Sequence, residues 1–378
     1  MSRPEIIFVG AFPPDGSPIH GGNVSACRAL MQSSLPDRAA LRLVDSTQRS
    51  IPAPRLPVRA WLALGRFGQV VRLLSRRPDA ILMFAGGGFS LIEKSVYAWW
   101  ARAVGVRSLL FVRSGDVMDR TRRSRGYRLL ARALFAGADR LLCQGDSWKR
   151  FFVDEFGYEP DRCPVIANWT ATPDLLDAGA ERQYRTGDTV RILFVGWLSV
   201  SKGLFELLEA FAALAARNPG LELHLAGDGQ AGTAAKAWVA ERGLEGRVTF
   251  HGWVSGQAKL DLFRCADVFA LPSHHEGMPN ALIEAMAAGL PSVVTPVGCV
   301  PDVATDGQDA LFVPVGAVES LRDALGRLVS RADLREQIGR AARQRAVDGF
   351  TVERAVDGLM NVVTGLVERP VGALSEER

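Results

Sequence analysis

VFALPSHHEGMPNALIEAMAAGLPSVVTP, residues 268–296, holds one complete strand–loop–helix–strand unit. VFALPS (268–273) is an apolar run of strand length, and HHEGM is a tight polar loop. PNALIEAMAAG reads as a helix with Pro279 at its first residue, where the missing N–H costs nothing. Gly289 stops that helix, Pro291 stands just beyond it, and PSVVTP (291–296) opens another strand. A helix between two apolar strands returns the chain to the same edge of the sheet, so the two strands run parallel.

The same alternation runs outward in both directions. Strands are predicted at 190–196, 221–227, 248–253 and 310–314 on this side of the chain, and at 6–12, 41–45, 80–86, 108–114, 140–144 and 163–168 before it. Amphipathic stretches such as GLFELLEAFAALAARN (203–218) separate them. Repeated strand–helix alternation with continuously apolar strands predicts an α/β fold of doubly wound parallel sheets. The pattern pauses once, at NWTATPDLLDAGAERQYRTGDTV (168–190). The chain therefore reads as a first Rossmann-like domain over 1–172, a linker over 173–189 and a second domain over 190–348, with a C-terminal helix and tail over 349–378 packing back on the first domain. At 378 residues, two domains are the natural expectation. In such a protein the ligand is expected beyond the carboxyl ends of the strands, in the cleft the domains face.

Composition narrows the class. Apolar residues make up 48% and charged residues 23%, as in a globular protein rather than a disordered one. Five scattered cysteines without a C-x-x-C pair point to a reducing, cytoplasmic setting with neither a disulfide framework nor a zinc cluster. No stretch is long and apolar enough to predict a spanning helix. Net charge is +4, but residues 1–187 carry 27 Lys/Arg against 17 Asp/Glu and residues 188–378 carry 18 against 24. A basic half joined to an acidic half suggests that the two meet different partners.

Glu276 and Glu284 stand eight apart in the opening stretch with no basic residue close behind them. Each alone would be an ordinary solvated acid. Between them, however, the helix start leaves free N–H groups near 278–281, suited to a diphosphate. A carboxylate on either side suits the vicinal hydroxyls of a ribose or hexose. Three more strand ends carry small polar loops: GWLSVSKG (196–203), with Gly196 and the cation of Lys202; GDG (227–229); and PVGCVPDVATDG (296–307). Singly they are turn signals, but together they make one sheet edge a candidate binding surface.

In order and spacing, these elements resemble the donor domain of retaining glycosyltransferases of the two-domain GT-B type, family 4. The matching positions are G-x-L…K-G at 196–203, G-D-G, the E-x7-E pair within EGMPNALIEAMAAGLP, G-x-x-P-D at 298–302 and D-G-x-x-A-L-F-V-P at 306–314. The resemblance implies a sugar transferase acting on a nucleotide diphosphate sugar, with retained anomeric configuration and no divalent metal or other cofactor. It assigns Lys202 to the donor diphosphate, Glu276 to the donor sugar and Glu284 to the ribose, with Lys202 and Glu276 serving catalysis. Gly196, Gly277, Met278, Pro279, Asn280 and Ala281 line the donor. The early loop PPDGSPIHGGN (13–23) resembles the glycine loop facing diphosphate and acceptor, through Gly21 and Gly22; His20 in it reads as a solvated loop residue. Two positions depart from the family: Trp197 stands where an arginine is frequent, and Arg113, within FVRSGD (111–116), where a histidine often contacts the sugar. Arg113 and Asp116 are the sugar-contact candidates of the first domain.

Two arginine-rich stretches complete the reading. In RLPVRAWLALGRFGQVVRLLSRR (55–77), Arg55, Arg59, Arg66, Arg76 and Arg77 share one arc, with Leu64, Phe67, Val71 and Leu74 opposite, toward the core. A second run over 119–134 adds six arginines. Such stretches are usually solvated faces, but they also suit an anionic inner membrane leaflet presenting a glycan or lipid-linked acceptor. Nucleic acid is not expected, since no recognition module accompanies the charge. Two rival functions stay open. A nucleotide-sugar epimerase or hydrolase of the same architecture would need acid–base residues that do not stand out, and a non-catalytic partner subunit would fit the departures at Trp197 and Arg113.

Overall fold

Apolar runs of four to six residues, each followed by a helix, leave little choice but parallel strands covered on both faces. The computed structural model, which describes residues 3–14, 22–47, 55–184 and 189–368, has this construction twice. One compact unit comprises Met1–Trp169 with Val352–Arg378, and the other Thr170–Thr351.

In the first unit, β1 (Glu5–Gly10), β2 (Ala40–Asp45), β3 (Ala80–Ala85), β4 (Arg107–Val112) and β5 (Arg140–Leu142) form an all-parallel sheet in the order β2-β1-β3-β4-β5. The strand expected at 163–168 contributes one bridge, Val165 to Cys143. Alternate residues take opposite faces. Ile6, Phe8, Leu82, Phe84, Leu109 and Phe111 form a core with helix Gly22–Met31 and with Val356, Leu359 and Val363 of helix Val352–Val367. Ile7, Ile81, Met83 and Leu110, facing the other way, are buried as well. Here helix Phe89–Ala103 lies on β3 and β4, and it packs against helices Leu56–Leu74 and Arg125–Ala136.

In that layer two residues of one expected helix depart from the reading, although Leu74 is buried and Phe67 and Val71 are half-buried as expected. Leu64 was placed toward the core, yet it is 69% exposed, while Arg66 turns inward to Glu93, with its Nε 2.7 Å from Oε1. Lys94 Nζ lies 2.9 Å from the other Glu93 oxygen, and the Tyr97 hydroxyl donates to Oε1 at 2.8 Å. Burial acts to raise the Glu93 carboxyl, but the Lys94 charge and the hydrogen bonds from Arg66, Lys94 and Tyr97 outweigh it and hold the group below its ordinary value. Periodicity alone could not show that an arginine of this helix has a buried acid waiting for it.

The second unit contains β6 (Val190–Val195), β7 (Leu221–Ala226), β8 (Val248–Gly252), β9 (Val268–Leu271), β10 (Ser292–Val294) and β11 (Leu311–Phe312). They form another all-parallel sheet, in the order β11-β10-β9-β6-β7-β8. Numbered within the unit and read from the β8 edge, this is 3-2-1-4-5-6. Winding reverses between β6 and β9, and at such a reversal point a doubly wound sheet binds its ligand beyond the carboxyl ends of the strands.

The stretch 173–189, expected as a linker, is built into this unit where it is described. Pro173–Ala180 is a helix started by its proline. The Arg182 guanidinium donates to the carbonyls of Phe263, Ala266 and Ala288, and the Tyr184 hydroxyl donates to Gly289 at 2.7 Å. These bonds tie down the last turns of helices Gly256–Cys265 and Asn280–Ala287. Among the described residues no helix is long and apolar enough to cross a membrane.

Candidate functional site

The loops after β6 and β9 meet at this reversal point, and each is shaped by the other. Gly203, at φ 68°, turns the first loop into helix Leu204–Ala215. A Cβ on it would stand 2.8 Å from the carbonyl carbon of Pro272, so only glycine lets the loops lie in contact. One residue earlier, Lys202 reaches across: its Nζ is 2.6 Å from Glu276 Oε1, and Ser273 Oγ donates to the same oxygen at 2.7 Å. Glu276 Oε2 takes no hydrogen bond among the described residues. His274 adds a tie that sequence reading missed. Its amide donates to the Ser201 carbonyl at 2.9 Å, and its Nε2 lies 2.7 Å from Glu206 Oε1. The only signal was a histidine doublet beside the acid.

The loop after β10 holds Glu276 from behind. Gly298, at φ 57°, sits so close that a Cβ would be 2.7 Å from the Glu276 carbonyl carbon. The Cys299 amide donates to the Gly277 carbonyl at 3.1 Å, and the Thr295 hydroxyl to that of Ser273. Gly227 and Gly229 likewise lie against the backbone of Gly196 and Leu198. Glycines expected to admit a ligand thus work first by letting four loops pack into one rigid rim.

Helix Asn280–Ala287 starts one residue later than its proline suggested, with Pro279 at the cap. The Asn280 amide folds back to the Met278 carbonyl at 3.0 Å, and Pro279 accepts from Leu282 and Ile283. Among the described residues the amides of Gly277, Met278 and Ala281 donate to no backbone carbonyl, which leaves a cluster of donors beside Glu276. Glu284, one turn into the helix, is gripped by Lys259 of helix Gly256–Cys265, whose Nζ is 2.7 Å from Oε1 and 2.6 Å from Oε2. Both acids therefore have cations, supplied from elsewhere in the chain. Lys259 was invisible as a single lysine in an ordinary amphipathic helix. Trp197, standing where an arginine was noted as frequent, is exposed.

In the first unit Gly22 opens helix Gly22–Met31, and Gly21 and His20 lie outside the described residues. The guanidinium of Arg113 is sunk among the rings of Phe84, Phe111 and Trp169, 5.3, 5.0 and 4.9 Å from their centroids. Its Nε donates to Asn23 Oδ1 at 3.1 Å, while Nη1 is buried without a partner among the described residues. Burial pushes this arginine down to about 10, so it stays charged at neutral pH. Asp116 is exposed and pairs instead with Arg120 at 2.8 Å. The two first-domain candidates thus make separate contacts. Among the described residues no group of three or more His, Cys, Asp or Glu is arranged to hold a metal ion.

Comparison with known proteins places these features in a family. The model of glycosyl transferases group 1 matches residues 181–345, and that of a glycosyl transferase 4-like domain matches residues 26–169. A D-inositol 3-phosphate glycosyltransferase of Saccharomonospora viridis is 33% identical over 184 residues, covering 46% of this chain and 42% of that protein. The lipopolysaccharide core biosynthesis glycosyltransferase LpsE of Rhizobium meliloti is 28% identical over 211 residues, 56% of this chain and 60% of its own length. The chain thus matches about half the length of these curated relatives. Among solved structures, sucrose-phosphate synthase of Thermosynechococcus elongatus superposes with a TM-score of 0.72 at 18% identity, over 96% of this chain and 99% of that one. Anabaena Alr3699/HepE, solved with UDP and glucose, gives 0.69 at 19% identity with the same coverage. These two likenesses are of fold.

Proposed function

Because the chain belongs to the family of glycosyl transferases group 1, we propose that it moves a sugar from a nucleotide diphosphate sugar to an acceptor hydroxyl, retaining the anomeric configuration. The observation carrying this reading is the pairing of Lys202 with Glu276 at the reversal point of the second sheet, 2.6 Å apart and beside unpaired amides. When the sugar leaves, charge grows on a diphosphate, and groups already aimed at it stabilise the transition state without reorganising. Lys202 and the amides of Gly277, Met278 and Ala281 are such groups. They carry the charge in this reading without a metal. Glu276 keeps one oxygen for a hydroxyl of the transferred sugar, and Glu284, steadied by Lys259, accepts from the ribose. No side chain is assigned as base for the acceptor; the leaving phosphate takes that proton.

The acceptor we favour is a lipid-linked or cell-surface glycan precursor, met on the cytoplasmic side of the membrane. A relative that builds lipopolysaccharide core supports this, as do five cysteines that are free thiols. The test is turnover: nucleoside diphosphate release from a panel of nucleotide sugars, with the product anomer read by NMR. Glu276→Ala should abolish release, and a variant as active as the parent would remove Glu276 from the reaction.

A further inference from the structure

Surface helices normally bury apolar residues and show polar ones, but helix Phe89–Ala103 buries Glu93 and Lys94 beside Leu91, Ala98 and Ala101 and leaves large apolar side chains outside. Its inner side carries Glu93, Lys94 and Tyr97, while Ile92, Val96, Trp99 and Trp100 are exposed. Both neighbours extend that outer surface. Helix Leu56–Leu74 contributes Trp61 and Leu64, 72% and 69% exposed, and helix Arg125–Ala136 contributes Leu129 at 72%. The three helices are one layer: Trp100 meets the Phe67 ring at 5.9 Å, and Trp99 Nε1 donates to the Ala133 carbonyl at 3.0 Å. Single exposed hydrophobes need no explanation, but a contiguous face with three tryptophans marks an interaction surface.

Charge identifies the partner. The three helices contain one acid, Glu93, and it is buried under Arg66 and Lys94. Arg72, Arg102, Arg125 and Arg128 of the same helices are exposed. On the adjoining helices Asp116 pairs with Arg120 and Glu155 with Arg122, each at 2.8 Å, and Glu155 also lies 3.8 Å from Arg128, which leaves Asp119 and Asp154 to set against the arginines of helix Arg125–Ala136. A second copy of the chain would press this cationic rim against itself, which disfavours self-association. We propose that the face rests on an anionic lipid bilayer. Trp61, Leu64, Trp100 and Leu129 enter the boundary between headgroups and acyl chains, and the surrounding arginines meet lipid phosphates. The docking stands or falls independently of the transfer reaction.

The full chain should be sedimented with vesicles of phosphatidylcholine alone and of phosphatidylcholine with about 30% phosphatidylglycerol, at low salt and at about 0.5 M salt. A Trp61→Ser/Leu64→Ser/Leu129→Ser variant changes only side chains that stand mostly in solvent, and its melting temperature verifies the fold. Binding should favour the anionic vesicles at least tenfold and weaken with salt, and the triple variant should lose at least another tenfold. The proposal is overturned if the parent ignores anionic vesicles or if the variant binds as well as the parent. It is also overturned if the parent, without binding vesicles, forms a dimer that the variant dissolves.

Discussion

Replacing Gly298 with alanine tests how Glu276 is held. The residue sits at φ 57°, where a Cβ costs about 1 kcal/mol in backbone strain. The larger effect is contact. The added carbon would collide with the Glu276 carbonyl oxygen and stand 2.7 Å from its carbon; bringing the carbon alone to ordinary contact at 3.4 Å takes a retreat of 3.4 − 2.7 = 0.7 Å, and the oxygen requires more. Displacements near 1 Å in a positioning element cost on the order of a hundredfold in rate. Gly298→Ala should therefore lower kcat/KM about a hundredfold. Gly243→Ala is the control, since Gly243 has φ 63° with nothing within 4 Å of an added Cβ. It takes the strain alone, lowers the melting temperature by a few degrees, and leaves turnover unchanged. Steady-state kinetics and thermal unfolding of both variants decide the matter. Equal activity in the two would refute the claim that the loop after β10 positions Glu276.

Glu93→Gln leaves Lys94 and Arg66 charged against a neutral partner inside the first unit; it should cost about 3–5 kcal/mol in denaturant unfolding, and adding Lys94→Met should restore part of this. Arg113→Met should leave the melting temperature unchanged or raise it, because the guanidinium is buried with Nη1 unpartnered, yet reduce transfer at least tenfold; a stability loss without an activity loss would make Arg113 purely structural. Burial first, then the neighbouring charge of His224, hold His251 below its ordinary 6.5. Below that pH the unfolded chain binds more protons than the folded one, so stability should fall as the pH drops below about 6.5. His251→Gln should flatten that limb when unfolding is measured across the range.

Much of this was legible because the fold is written in local signals. Most strands of the second sheet were apolar runs and all ended at or close before a glycine or proline, and strand–helix alternation left parallel winding as the simple solution. CPVIAN was overread since its apolar letters could not say that one bridge, Cys143 to Val165, is all it makes. Glu276 and Glu284 stood out because apolar surroundings isolate them, but their partners did not. Lys202 is 74 residues from Glu276 and Lys259 is 25 from Glu284, and only the folded sheet brings such groups within 3 Å. In the helix over 56–74, Leu64 and Arg66 were misplaced for a related reason. Its pattern offers an arginine arc and a leucine arc, and the buried Glu93 that selects Arg66 lies in the next helix. Sequence periodicity names faces, and tertiary partners choose between them.

The central claim is that Lys202, Glu276 and the helix start at Asn280 make a diphosphate site, and calorimetric titration tests it most directly. The purified chain should be titrated with UDP, GDP, ADP and CDP, and then Lys202→Met and Glu284→Ala variants with whichever binds. The account predicts that one diphosphate binds well above the others, that Lys202→Met weakens it at least tenfold, and that Glu284→Ala weakens it while sparing inorganic diphosphate. Binding of none of the four, or equal binding after Lys202→Met, would contradict it.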